Sequence, residues 1–197
     1  MCIAIAITPG ARVSKEVFER CWKFNKDGFG MAYISSQGNA VISKAYMDRE
    51  AAWAGYNRIA GAEPHCNHPM LLHFRAATVG SVGAMNCHPF AVEDGAMIHN
   101  GTFYRDASDR SDSSTVAAVL YNKLKYDNLQ KNFDKVEEAF GYNRVCFLHK
   151  GGKLTIINET YDGKTGRYGQ WNDGVWYSNG GWSGGYNEHC GNGKKFI

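Results

Sequence analysis

The sequence predicts an α+β fold, with antiparallel sheets and helices set apart from them. Three observations lead there. Strand-like runs come first, helical runs follow, and strand-like runs return. Many of the strand-like runs are short and adjacent in the chain, as antiparallel neighbours are. No phosphate loop and no glycine-rich dinucleotide fingerprint marks the chain as a doubly wound parallel fold.

The opening run, Met1-Cys2-Ile3-Ala4-Ile5-Ala6-Ile7, is apolar and reaches Pro9-Gly10 at once. It therefore reads as a buried strand over residues 2–8, and with no basic region in front it is a poor signal peptide. Ser14 starts a helix through Phe24 that puts Val17, Phe18, Cys21 and Trp22 on one face. Asp27-Gly28 is turn chemistry. Strands are expected at 29–35 and 39–46, a helix from 48 to 60, and a strand from Met70 to Arg75. A loop containing Gly80 and Gly83 comes next. Ala96-Met97-Ile98-His99 is a short strand ending at Asn100-Gly101. Val116, Val119, Leu120 and Leu124 have helical spacing, so a helix is expected from Ser111-Asp112 to Lys125, and another over 128–140. Arg144 to His149 and Lys153 to Asn158 read as hairpin strands joined at Gly151-Gly152. Val175-Trp176-Tyr177 is one more strand. The rest, with Trp182 and Tyr186, is rich in Gly, Asn and aromatics and reads as irregular, either a docking surface or core.

The length of 197 residues suits one domain spanning 1–197. Hydrophobic residues make up 44%, charged residues 21%, and Gly and Pro number 23 and 4, which excludes a disordered, collagenous or coiled-coil chain. No apolar run reaches the roughly 20 residues that cross a bilayer, so no membrane association is expected. Lys plus Arg number 22 against 19 for Asp plus Glu, a net charge of +3. Apart from Lys194-Lys195 the basic residues are scattered, which argues against a nucleic-acid partner. The six cysteines include no CxxC pair, and no secretion signal precedes them. They are expected to be free thiols in a cytoplasmic protein. His65-Cys66-Asn67-His68 holds three ligand types in four residues, with His189 and Cys190 far away. That is not a usual zinc spacing, so the segment reads as a polar loop, with no metal and no cofactor expected.

Five groups carry the candidate chemistry. If Met1 is removed, Cys2 bears both a thiol and an α-amine of pKa roughly 8 that could activate it. The plainer reading is a buried Cys in a strand. Asn100-Gly101 could aim two N–H donors at one point, as an oxyanion hole does, or could be a hairpin turn. Arg75 closes an apolar strand, where its guanidinium could take a carboxylate in a bidentate pair or form a structural ion pair. Asp112, in Ser111-Asp112-Ser113-Ser114, is either an N-cap or first-turn acid of the helix or the partner of an ammonium group. His88, held out of helical conformation by Pro89, could bind an anion or be structural.

Their order says more than any one of them. Met1-Cys2, His73-Phe74-Arg75-Ala76-Ala77-Thr78-Val79-Gly80, Asn86-Cys87-His88-Pro89-Phe90, His99-Asn100-Gly101 and Ser111-Asp112-Ser113 together resemble the class II glutamine amidotransferases, which are N-terminal-nucleophile (Ntn) hydrolases. Asp27-Gly28-Phe29-Gly30-Met31-Ala32 also looks like that family's D-G-x-G-x-A step. The resemblance runs from Cys2 to about Leu120 and loosely through Gly180. It implies a four-layer αββα sandwich with two mainly antiparallel sheets. It implies Cys2 as nucleophile on the side-chain amide of L-glutamine, with Asn100 and Gly101 as the oxyanion hole. Arg75 and His88 would meet the substrate α-carboxylate with Thr78 nearby, and Asp112 its α-ammonium. A γ-glutamyl thioester would form, and water would release glutamate.

The chain departs from the family pattern in three places. Many members have Cys-Gly-Ile where this chain has Cys2-Ile3-Ala4. Some synthases have Trp at Ala76, and many members have Glu at Ser114. Altered loop closure or specificity is expected from these changes. About 17 residues follow Gly180, too few for an acceptor domain. Either a separate synthase subunit accepts the ammonia, or the protein is a stand-alone amidohydrolase of another γ-glutamyl compound. A catalytically inactive Ntn-fold binding protein is the reading from outside the enzymes.

Overall fold

The computed structural model describes residues 2–63, 65–104, 109–160 and 169–183. Ten strands form two sheets, and every strand pair is antiparallel. The first sheet has the order β3(Ala40–Tyr46)-β2(Phe29–Ile34)-β4(Met70–Phe74)-β1(Ile3–Ile7)-β10(Val175–Tyr177)-β9(Gln170–Asn172). The second has the order β5(Phe90–Val92)-β6(Gly95–Asn100)-β7(Arg144–His149)-β8(Lys153–Ile157).

The alternation of β1 shows how the layers arise. Ile3, Ile5 and Ile7 point to one face and pack with Phe18, Cys21 and Trp22 of α1(Lys15–Phe24) and with Ala52 and Tyr56 of α2(Arg49–Ala60). Ala4 and Ala6 point to the other face, toward Ala96, Ile98, Cys146 and Leu148 of the second sheet. Small residues on the inner face let the two sheets approach, and both faces of β1 are buried. On the far side of the second sheet, Met97, Val145 and Phe147 pack against Ala117 of α3(Asp112–Val119), Leu129 of α4(Tyr126–Lys131) and Phe140 of α5(Phe133–Phe140). The layers are therefore helices, sheet, sheet, helices, the αββα order.

The first helices start where side-chain caps predict. Ser14 accepts from the Val17 N–H at 3.3 Å, and Asp48 from the Ala51 N–H at 2.9 Å. Two later expectations fail. The helix expected to reach Lys125 ends at Val119, and a 3-10 turn over Tyr121–Lys123 follows. Thr115, Val116 and Val119 are β-branched and weak helix formers, and the Tyr121 carbonyl is taken by the Glu93 N–H. Leu124 is buried, but the turn carries it inward while Val119 is 74% exposed. The helix expected over 128–140 is two helices with Asn132 between them, at φ −121° and ψ 25°. The Asn132 amide donates to the Asn128 carbonyl at 3.0 Å, a local bond that competes with helix continuation. Strands β5 and β9, three residues each, are not among the strands expected from the sequence.

Among the described residues, Cys2, Cys21, Cys66, Cys87 and Cys146 are free thiols. His65 uses Nδ1 on the Ile34 carbonyl at 2.7 Å, and its ring meets Tyr33 edge-on, so the His65–Asn67 turn closes on β2. Among the described residues no group of three His, Cys, Asp or Glu side chains could hold a metal ion. No described helix is long and apolar enough to cross a membrane. Trp176 and Tyr177 are core, and Trp182 stacks on Tyr177 at 4.4 Å. The expectations for Tyr186, His189, Cys190 and Lys194-Lys195 lie outside the described residues.

Candidate active site

Sheet register builds the site. Strands β1 and β4 run antiparallel with Ile3 opposite Phe74, so Cys2 at the start of one meets Arg75 and Ala76 at the end of the other. The Cys2 Sγ donates to the Ala76 carbonyl at 3.3 Å and accepts from the Ala76 N–H at 3.4 Å. Strand β10 flanks β1 on its other side and ends in Ser178 and Asn179. The Ser178 N–H donates to the Ala4 carbonyl at 2.9 Å, and the Asn179 amide donates to the Cys2 carbonyl at 2.8 Å. Cys2 is thus fixed by segments from both ends of the sequence.

A small cleft opens at this point, lined by Cys2, Arg75, Ala76, Ala77, Thr78, Val79, His88, His99, Gly101 and Ser111 to Ser113. It gathers six of the seven residues singled out from the sequence: Cys2, Arg75, Thr78, His88, Gly101 and Asp112. The seventh, Asn100, is buried next to Gly101 at the end of β6, and its Nδ2 donates to Ser178 Oγ at 2.8 Å. Asn100-Gly101 is not a hairpin turn, because the chain leaves β6 for the loop before α3.

The electrostatics follow from burial. Burial pushes the Cys2 thiol up from its ordinary value, against the lowering pull of the Ala76 N–H and the Arg75 charge. The thiol is therefore neutral near pH 7 and needs a base. Burial holds the His73 imidazole down to about 3, and burial lowers His88 and His99 as well. All three rings are neutral near pH 7, which leaves Arg75 as the cation of the cleft among its described residues.

Arg75 was expected to emerge at its strand end. Instead it is 2% exposed and donates to the carbonyls of Val79, Gly80 and Ser81 at 3.2, 3.5 and 3.0 Å. Among the described residues it makes no ion pair, and its guanidinium organises the loop that carries Thr78. Gly80, at φ +75°, lets this loop pass close to Arg110 and Ser111, where a Cβ would stand 2.8 Å from backbone. Asp112 is the first-turn acid of α3 and not its cap. Ser111 is, accepting from the Ser114 N–H at 3.2 Å, while the Ser114 hydroxyl returns a 2.8 Å bond to the Ser111 carbonyl. Asp112 Oδ2 accepts from the Phe103 N–H at 2.6 Å and Oδ1 from the Ser113 N–H at 2.8 Å. An ionised carboxylate offers about four acceptor positions, so capacity is left for a ligand ammonium. His88 lines the cleft as a buried, neutral ring; neither ring nitrogen has a partner among the described residues, and the ring lies 3.9 Å from that of His73.

Several supporting residues are not among the candidates singled out from the sequence. His73 Nε2 bonds the His99 carbonyl at 3.0 Å. His99 Nε2 donates to Asn143 Oδ1 at 2.9 Å, and Nδ1 accepts from the Ser113 hydroxyl at 2.7 Å. Asn143 is itself fixed by donating to the Phe140 carbonyl at 2.9 Å. Asn86 ties three loop segments together, donating to the carbonyls of Ser81 and Asp109 and accepting from the Ser111 N–H. Asp27 accepts from the Ala77 N–H at 2.8 Å. Asn86, His99 and Asp27 lie in the sequence motifs. Asn143, Ser178 and Asn179 lie outside them.

No protein-family model matches the chain. Over 149 residues, 72% of its length, the chain is 34% identical to the Saccharomyces cerevisiae protein named Probable glutamine amidotransferase DUG3. The chain is similar to a glutamine amidotransferase. It spans 38% of that relative's length, so the likeness concerns that part of the relative. A solved glutamine aminotransferase class-II domain protein from Silicibacter pomeroyi aligns over 90% of this chain and 87% of its own, at 15% identity and TM-score 0.44. A likeness of that degree carries no argument about function.

Proposed function

We propose that the protein hydrolyses the side-chain amide of L-glutamine, with Cys2 as an N-terminal nucleophile, and that the ammonia passes to a separate acceptor subunit. The observation that carries this reading is the single cleft that joins Cys2, Arg75, Thr78, His88, Gly101 and Asp112. These residues come from distant segments, and they bring a thiol, a guanidinium and a carboxylate around one small space. The relationship to a glutamine amidotransferase supports the same chemistry.

The mechanism requires removal of Met1. The Cys2 α-amine then takes the thiol proton as Sγ attacks the amide carbon. The oxyanion forms between the Gly101 N–H and the Asn100 amide. Collapse breaks the C–N bond, and the α-ammonium returns its proton to the departing nitrogen, giving ammonia and a γ-glutamyl thioester. Water, deprotonated by the same amine, attacks the thioester. Glutamate leaves and the thiol is restored. Arg75 attracts the substrate α-carboxylate, which His88 meets through a neutral N–H, and Asp112 accepts from the α-ammonium.

Cys2→Ala tests the nucleophile. The variant should keep the circular dichroism spectrum and release no glutamate, and full activity in it would overturn the mechanism.

A further inference from the structure

Where the ends of β6 and β10 meet, two hydrogen-bonding groups are left incomplete among the described residues, and one rearrangement completes both. Ser178 Oγ is buried and stands 2.9 Å from the Ala4 nitrogen and 2.8 Å from the Asn100 Nδ2. With both nitrogens donating to it, its own hydrogen has no acceptor among the described residues. At the other end of the same carboxamide, Asn100 Oδ1 is buried with no partner. A hydroxyl offers one donor as well as acceptor lone pairs, and the two ends of a carboxamide are alike in shape, so their hydrogen bonds decide which end is which.

We infer that Ser178 is a positioning residue for the Asn100 amide: it accepts from the Ala4 N–H and donates its hydroxyl proton to the Asn100 oxygen, which turns the Asn100 NH2 to the unpartnered side. The inference rests on the glutaminase reading and deepens it. The Ala4 N–H cannot change direction, because it belongs to β1, so it fixes which lone pair of Ser178 is filled. The hydroxyl proton then has one neighbouring polar atom to serve, and that atom must be an acceptor. The amide oxygen gains a donor, and the hydroxyl proton gains an acceptor. The group left without a partner among the described residues becomes an N–H donor on the residue that precedes Gly101, which lines the cleft. A buried donor held without a partner suits a site that receives negative charge during reaction. Gly101, at φ +155°, supplies the other donor from a backbone conformation that side-chain-bearing residues rarely adopt.

Steady-state kinetics of Ser178→Ala, Ser178→Thr, Asn100→Ala and the Ser178→Ala/Asn100→Ala double variant test the assignment. Ser178→Ala should lower kcat about 10-fold or more with KM changed less than about threefold, since the lost interaction belongs to the transition state. Ser178→Thr keeps the hydroxyl and should restore most of the loss. The double variant should be no slower than Asn100→Ala alone, because Ser178 acts through Asn100. Alkylation of Cys2 by iodoacetamide builds no oxyanion and should proceed at the wild-type rate in Ser178→Ala. Full kcat in Ser178→Ala, additive losses in the double variant, or slowed alkylation would overturn the proposal. If the wild-type protein cleaves no γ-glutamyl amide, the glutaminase reading fails, and neutron diffraction from deuterium-exchanged crystals then decides the role of Ser178 by itself. A deuteron on Ser178 Oγ directed at Asn100 supports it, and an Asn100 ND2 group directed at Ser178 overturns it.

Discussion

The Asn179 side chain donates a 2.8 Å hydrogen bond to the carbonyl of Cys2, 177 residues away in the sequence. With the backbone bond from the Ser178 N–H to the Ala4 carbonyl it clamps the start of β1 against the end of β10. The position of the Cys2 thiol is therefore set by the closing part of the first sheet as much as by β1. Asn179→Ala should leave thermal stability within about 1–2 kcal/mol, the scale of one lost hydrogen bond, and lower kcat by misplacing Cys2. A wild-type kcat in this variant would separate the clamp from catalysis.

The three neutral histidines predict acid sensitivity. His73 titrates at about 3 in the fold, and His88 and His99 are also lowered by burial, whereas an unfolded His titrates near 6.5. Between these values the unfolded chain binds more protons, so stability is full above about pH 6.5 and is lost as pH falls toward 3. Each such histidine contributes a slope of up to about 1.4 kcal/mol per pH unit. Denaturant unfolding from pH 7 to 4 should show this decline, and His88→Gln should flatten it. A pH-independent midpoint would contradict the buried neutral rings.

Gly101 has a backbone requirement that can be tested directly. Its φ is +155°, and a Cβ there would collide with Asn143 Oδ1 and His99 Nε2. Gly101→Ala should cost about 2 kcal/mol or more and reduce turnover sharply, since the strand end must shift. An alanine variant with wild-type melting temperature and kcat would refute this.

Asn143 should matter for stability although it does not line the cleft. Removing its side chain strands the buried His99 Nε2–H, at a cost of about 1–3 kcal/mol. Asn143→Ala should lower the denaturation midpoint while Asn143→Asp, which keeps an acceptor, recovers part of it. Equal losses in both variants would assign the effect to packing.

The legible parts of the sequence were those with a short-range cause. The Ile/Ala alternation of β1 and the caps at Ser14 and Asp48 are written in adjacent residues. The ordered motifs named six of the residues that line the cleft. What failed depended on distant contacts. Helix α3 ends where Tyr121 is bonded by Glu93, which no local pattern displays. Ser178 and Asn179 sit in a polar stretch after a three-residue strand, and only the β1–β10 pairing gives them a role.

Asp112 allows the substrate's α-ammonium to be probed. Asp112→Asn should weaken L-glutamine more than an analogue lacking the α-amine. Equal weakening of both would leave Asp112 with its bonds to Phe103 and Ser113 as its whole function.

The most direct measurement is glutamate release from L-glutamine by the purified protein, with a glutamine-directed diazo-ketone and intact-mass spectrometry in parallel. The account predicts release, a mass lacking Met1, and one covalent adduct on Cys2. Retained Met1 with neither release nor labelling would contradict it.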